Sequence, residues 1–261
     1  MPKNPSFSLA GKVIIQSGGS GLLGRALVSG LAAGGATLVV ASRDAAKLET
    51  VAAGERAAGR AVHTETVDIG SEASIHALRD RVLRTHGRID GLVFNAVSRP
   101  MRTMADDLAA WKESMDTNAT GFFAIVRALG DAMATSGGGS IVNIASMQGM
   151  IGMNPWLYEG TTMTAPPDYF FHKGGMINLT RYLASHYGPH QVRVNVVSPG
   201  GIYNPDKPQA PAFLERYGKM TMLGRMANAH EVSGAVVFLL GDASTYVTGT
   251  NLVVDGGYTA K

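Results

Sequence analysis

The chain has 261 residues, enough for one α/β domain to bury a sizeable core without covalent staples. It contains no cysteine, which excludes disulfides, thiolate nucleophiles and cysteine-ligated metals and fits a reducing, cytoplasmic setting. A formal net charge of +3, with 16% charged residues and no block of Lys or Arg, carries no nucleic-acid signature. Residues 1–12 hold no apolar stretch of signal-peptide length. No apolar run approaches the roughly 18 residues of a membrane-spanning helix, so neither a membrane nor a nucleic acid is expected as a partner.

The elements follow in regular order. Short β-branched runs at 12–17, 36–42, 60–69, 89–96, 139–146, 191–201 and 251–257 read as strands. Amphipathic stretches at 22–34, 43–59, 71–87, 105–135, 168–188 and 228–242 read as helices between them. Strictly alternating elements imply a parallel sheet with helices on both faces, and the apolar strands fit a sheet covered on both sides. With no Pro/Ser-rich linker and no repeat, the expectation is one doubly wound Rossmann-type α/β domain over 1–261, with a parallel sheet of about seven strands.

The turn "SGGSGLLG" at 17–24 follows the first strand and opens the first helix. Gly19, Gly21 and Gly24 give the literal G-x-G-x-x-G, and Gly18, Gly21 and Gly24 equally give G-x-x-G-x-x-G. Here a doubly wound sheet grips a dinucleotide: glycines admit the pyrophosphate and the helix N-terminus offers free N–H groups. The second strand ends "VVASRD", with Ser42 and Arg43 where an NAD-type site has a carboxylate and Asp44 one later. A guanidinium suits a 2′-phosphate, so NADP(H) is favoured over NAD(H). In "PDYFFHKGG", Tyr169 and Lys173 are four apart, which places both on one helix face.

Taken together these features resemble the short-chain dehydrogenase/reductase family in its single-domain branch, over nearly the whole chain. The matching residues are the Ser17–Gly24 turn, Asp68 in "TVDIG", Asn95-Ala96 in "VFNAV", Asn118 in "DTNATGFF", Ser146 in "IVNIAS", Tyr169 with Lys173, and Pro199-Gly200. The resemblance implies a hydride-transferring enzyme in which Tyr169 is the general acid/base and Lys173 its tuner. It also implies that Ser146 bonds the substrate oxygen and Asn118 holds a water in a relay from Lys173. A phenol titrates near 10, and a neighbouring ammonium favours the phenolate. The resemblance assigns the cofactor to Gly18, Ser20, Gly21, Leu22, Leu23, Gly24, Ser42, Arg43, Asp68, Ile69, Asn95, Ala96, Tyr169, Lys173, Pro199, Gly200 and Ile202. No metal is expected. A homo-oligomer, dimer or tetramer, is implied, with Phe170 and Phe171 at a subunit contact.

The sequence departs from that pattern in five places. Leu22 replaces a common glycine. Val97 follows Asn-Ala where glycine is usual, and Asn204 stands where a threonine often meets the cofactor. His172, with Phe170 and Phe171, replaces small residues. Ser146 and Tyr169 are 23 positions apart, wider than the usual dozen or so. The extra material, 147–167, is expected to loop out beside the site, and its "YEGTTMTAP" resembles relatives linked to bacterial surface-sugar and flagellin-glycan synthesis.

Residues 202–228 are expected to form a substrate lid. Gln148, Trp156, Tyr158, Tyr203 and Asn204 are the substrate-contact candidates, and Arg99 and Arg102 the candidates for an anionic group. The expected substrate is a small molecule, a secondary alcohol or ketone of a sugar, polyol or sugar acid. The alternatives are a 3-oxoacyl-thioester reductase and, from another class, a catalytically silent nucleotide-binding sensor.

Overall fold

The computed structural model describes residues 6–261; residues 1–5 lie outside it. Seven strands, β1 (Val13–Ser17), β2 (Thr37–Ser42), β3 (Val62–Thr66), β4 (Gly91–Phe94), β5 (Gly139–Ile144), β6 (Val192–Pro199) and β7 (Asn251–Val254), form one sheet of order β3-β2-β1-β4-β5-β6-β7. Every pairing is parallel. The chain reverses its winding between β1 and β4, and ligands of such sheets bind beyond the strand C-termini at that point.

Helices α1 (Leu22–Ala33), α2 (Ala45–Ala57) and α8 (Ser233–Leu240) cover one face, packing Leu27, Leu31, Leu48 and Val236 on Ile14, Leu38 and Val93. On the other, α3 (Glu72–His86), α5 (Gly121–Thr135) and α6 (Pro167–Tyr187) set Ile75, Leu78, Ile125, Leu129 and Met176 against Ile15, Leu92 and Ile141. Neighbouring strand residues therefore serve opposite cores, which is why the central strands are largely apolar, with Gln16, Ser17, Ser140, Asn143 and Asn195 as buried polar exceptions. β1 and β4 are wholly buried, whereas the edge strands β3 and β7 are partly open.

Local chemistry sets the ends. Asp44, Ser71 and Asp107 cap α2, α3 and α4 (Leu108–Met115) by accepting backbone N–H groups. Gly87 stops α3 at φ 76°. Pro167 opens α6, its fixed φ and missing N–H costing nothing there, and Gly188 closes it. The stretch at 105–135, read from sequence as one helix, is α4, a π turn at Asp116–Thr120, and α5. Gly121 follows that turn, and a Cβ there would lie 2.4 Å from the Ile69 carbonyl oxygen, so α5 crosses the chain after β3 at backbone distance.

A third, smaller core joins the 147–167 segment to the 202–228 segment. Met147 and Leu157 meet Phe213, Tyr217 and Met226, with Phe213 and Tyr217 carried by α7 (Pro211–Met220). Arg216 donates to the carbonyls of Trp156 and Glu159, fastening the two segments together. Among the described residues, no helix is long and apolar enough to cross a membrane.

Candidate active site

The turn after β1 is shaped by its glycines. Gly18 has φ +76°, and a Cβ would stand 2.8 Å from Ala96 Cα; at Gly24 it would stand 2.3 Å from the Gly18 oxygen. Gly21 differs: its Cβ would meet nothing within 4 Å. It caps α1 without any side-chain hydrogen bond, and no acidic residue sits in the first turn. The helix thus presents uncapped N–H groups to an open space that only glycine leaves clear. Asn95 locks this turn to β4, its Nδ2 donating to the Gly18 oxygen at 2.6 Å while the backbone N–H groups of Asn95 and Ala96 donate to Ser17 Oγ.

A cavity of about 560 Å³ opens beyond the strand ends. It is lined by Gly21, Leu22, Leu23, Gly24, Asn95, Ser146, Tyr169, Lys173, Pro199, Gly200 and Ile202 together. A second cavity of about 350 Å³ shares Gly21, Asn95 and Val97 with it and reaches Gly18, Ser20, Ser42, Arg43, Lys47, Ile69 and Ala96. The two are adjacent spaces at the crossover, one beside the acid/base candidates and one beside the end of β2. Such a groove suits an extended dinucleotide, its pyrophosphate at Gly21 and α1.

Ser146 follows β5. Its Oγ accepts the backbone N–H of Gln148 at 3.2 Å, which leaves its own proton free to donate. Tyr169 and Lys173 are carried by the first turns of α6. Lys173 Nζ donates to the Ile144 oxygen at 2.6 Å and lies 5.6 Å from the centre of the Tyr169 ring. Burial, reinforced by the Arg99 guanidinium, pulls the Lys173 ammonium down to about 7. Arg99 stands over the other neighbour of that lysine, 4.9 Å from the Tyr169 ring centre.

Asn118 sits in the π turn and is buried. Its Oδ1 accepts the Ser98 N–H at 2.8 Å, and its Nδ2 donates to the Ser98 oxygen and to Ser114 Oγ at 2.9 and 3.0 Å. Both amide hydrogens are used, so the amide has no donor left for a water. Ser114 in turn donates to Asp168 Oδ2 at 2.5 Å. Ser114 and Asp168 thus tie the π turn to the residue before Tyr169. Neither was singled out from sequence, though Ser114 lies four positions before Asn118 on a helical run, a spacing that puts them on one face.

His172 is buried, with neither ring nitrogen hydrogen-bonded, and packs edge-on to Tyr169 with centroids 5.4 Å apart. Burial first, then the nearby Lys173 and Arg99 charges, hold its imidazole down at about 3. It is a neutral spacer behind the tyrosine.

Other candidates are placed as follows. Gln148, Tyr158 and Asn204 line the larger cavity, as does Arg99, and Gln148 donates to the Tyr158 hydroxyl at 3.2 Å. Trp156 lies outside it, exposed, with the Arg216 guanidinium over its ring at 5.7 Å. Tyr203 packs against the third core instead of lining the cavity. Arg102 also lies off it, its backbone N–H bonded by Asp106. Asp68 is exposed outside both cavities and accepts the Gly70 N–H at 3.0 Å. Gln209 and Asn154, not foreseen, line the larger cavity. Among the described residues no cluster of three or more His, Asp or Glu could hold a metal ion.

Residues 20–259 match the family model adh_short_C2, whose description reads "Enoyl-(Acyl carrier protein) reductase". The chain is 36% identical over 259 residues to a 2,5-dichloro-2,5-cyclohexadiene-1,4-diol dehydrogenase of Sphingobium indicum, covering 97% of this chain and 98% of that protein. It is 32% identical to a D-threitol dehydrogenase of Mycolicibacterium smegmatis, with 98% and 95% covered. Among solved structures it superimposes on a gluconate 5-dehydrogenase from Burkholderia cenocepacia in complex with NADP and tartrate, with a TM-score of 0.88, 29% identity and 98% of each chain covered.

Proposed function

The chain belongs to the short-chain dehydrogenase/reductase family, and from that premise we propose that it interconverts a secondary alcohol and its ketone with NADP(H), on a small polyol, sugar derivative or alicyclic diol. The observation that carries the reading is the meeting of Ser146, Tyr169 and Lys173 with the Gly21 cradle on the wall of one cavity. The relatives support the substrate class, since those reported act on a cyclic diol and a four-carbon polyol by their names.

NADP(H), when bound, supplies or accepts the hydride. The residues do the rest. Gly21 and the first N–H groups of α1 would hold the pyrophosphate, and Lys173 the ribose nearest the reacting end. The Ser146 hydroxyl, with its proton free, donates to the substrate oxygen as charge gathers there. The Tyr169 phenol gives its proton to that oxygen during reduction and takes it back during oxidation. Lys173, poised near neutrality, keeps positive charge beside the phenol and exchanges protons with solvent.

NADP(H) over NAD(H) is supported at the end of β2. Arg43 lines the second cavity and has no ion pair or hydrogen bond to a described residue. Asp44, the one carboxylate there, is already occupied: it caps α2 through the Lys47 N–H at 3.0 Å and pairs with Lys47 Nζ at 2.9 Å. A homo-oligomer is supported by exposed apolar side chains on α4, α5 and α6, among them Leu108, Phe123 and Phe171. The link to surface-sugar synthesis is a proposal carried by the Tyr158–Pro166 stretch alone.

The test is nicotinamide absorbance with purified protein, NADP⁺ and NAD⁺ each offered against a panel of polyols, sugar acids and alicyclic diols. Turnover with NADP⁺ at higher kcat/KM than with NAD⁺ is expected. Turnover with NAD⁺ alone would sink the Arg43 reading and leave the reaction class standing.

A further inference from the structure

The larger cavity has an unbalanced charge. Among the described residues its lining holds two cations, Arg99 and Lys173, and no aspartate or glutamate. Lys173 is buried and bonded to the Ile144 carbonyl. Arg99 is different. It is exposed at the cavity wall, lies 4.9 Å from the Tyr169 ring centre, and makes no ion pair or hydrogen bond with any described residue. Its charge is felt inside, because it depresses both Lys173 and His172. Two cations facing one space repel each other, and an anion placed between them relieves that cost. A guanidinium meets a carboxylate through two parallel N–H···O bonds, a geometry an ammonium does not match.

The remaining wall is mixed: Gln148, Asn154, Tyr158 and Asn204 offer polar groups to it. Met147, Ile151, Met153, Leu157, Met163 and Phe213 face the same space. The polar groups can pair a substrate's hydroxyls while the apolar side chains cover its carbon face. Resting on the oxidoreductase reading above, we propose that the substrate is a hydroxy acid. Its carboxylate pairs with Arg99 and its secondary hydroxyl reaches Ser146 and Tyr169. Because Arg99 stands against the Tyr169 ring, the carboxylate lies within a few bonds of the reacting carbon. Arg99 is the specificity-determining residue for that charge.

The experiment compares an acid with its neutral isostere. Cyclohexanecarboxylate and cyclohexanecarboxamide are titrated calorimetrically into the enzyme–NADP⁺ complex, for wild type, Arg99→Gln and Arg99→Lys. Turnover of 3-hydroxycyclohexanecarboxylate and its carboxamide is followed in parallel. The acid is expected to bind about tenfold or more tighter than the amide at low salt, with the preference shrinking as salt rises. Arg99→Gln should abolish the preference, Arg99→Lys should keep part of it, and the kcat/KM ratio of acid to amide should fall in step. Equal affinities in the wild type would overturn the proposal. So would a preference that survives Arg99→Gln, or a variant that loses NADP⁺ affinity while keeping the preference, which would assign Arg99 to the cofactor. A wild type that oxidises neither these compounds nor any member of the wider panel would refute the oxidoreductase reading, and the calorimetric comparison would still decide this one.

Discussion

Replacing Gly21 by alanine should separate cofactor binding from folding. Gly21 has φ −73° and ψ 170°, extended backbone open to any residue, and the added Cβ would touch no protein atom within 4 Å. Alanine caps a helix somewhat less well than glycine but leaves the unfolded chain less free, and the two effects of about 0.5 kcal/mol nearly cancel. Tm should stay within about 2 °C of wild type. The methyl instead occupies the space a pyrophosphate needs. Holding it off by a methyl's width costs one or two hydrogen bonds to a charged group, at about 1.5 kcal/mol or more each, or roughly 10- to 100-fold in NADPH affinity. Gly18→Ala is the contrast. It forces alanine to φ +76°, which costs about 1–2 kcal/mol, and drives its Cβ to 2.8 Å from Ala96 Cα. That variant should lose stability as well as affinity. NADPH fluorescence titration and thermal unfolding on the same samples give both numbers. Gly21→Ala binding NADPH within twofold of wild type would refute the placement of the cofactor at this turn.

Arg43→Ala should raise the Kd for NADPH about tenfold or more and leave NADH nearly unchanged, by the same titration. Ser114→Ala leaves the Asp168 carboxylate, which is 1% exposed, without its hydroxyl partner, and should cost about 1–3 kcal/mol in urea unfolding. Lys173 makes a pH prediction for the cofactor-free protein. Its folded value, about 7, lies below the ordinary lysine range, so between there and roughly pH 10 the unfolded chain holds a proton that the folded one has released. The burial penalty is therefore full below pH 7 and relieved as pH rises. Wild type should gain stability relative to Lys173→Met across that window by up to about 1.4 kcal/mol per pH unit, read from denaturant midpoints at pH 6, 8 and 9.5.

The doubly wound sheet was legible because two-sided burial leaves Gly91–Phe94, and the first three residues of Val13–Ser17, a continuous apolar signature. The glycine turn was legible because few residues fit a backbone contact such as that of Gly18 with Ala96. The π turn at Asp116–Thr120 was not. One extra residue in a helix barely disturbs the apolar period, and the close approach of Gly121 to the Ile69 carbonyl joins segments far apart in sequence. The Ser114–Asp168 bond was hidden for a like reason, since it joins residues 54 positions apart. Trp156 and Tyr203 have the chemistry of a substrate contact, but loop backbone decides where a side chain goes. Arg216 holds the Trp156 carbonyl and covers its ring, and Tyr203 turns into the small third core.

The account stands most directly on Tyr169. Tyr169→Phe removes one oxygen and keeps the ring that packs on His172 and Arg99. Steady-state oxidation of a substrate from the panel, with NADPH affinity measured alongside, tests it. The account predicts kcat falling about 100-fold or more, in the range expected for loss of a general acid/base, with NADPH affinity nearly unchanged. Turnover within a few-fold of wild type would contradict it, and the proton would have to come from another group.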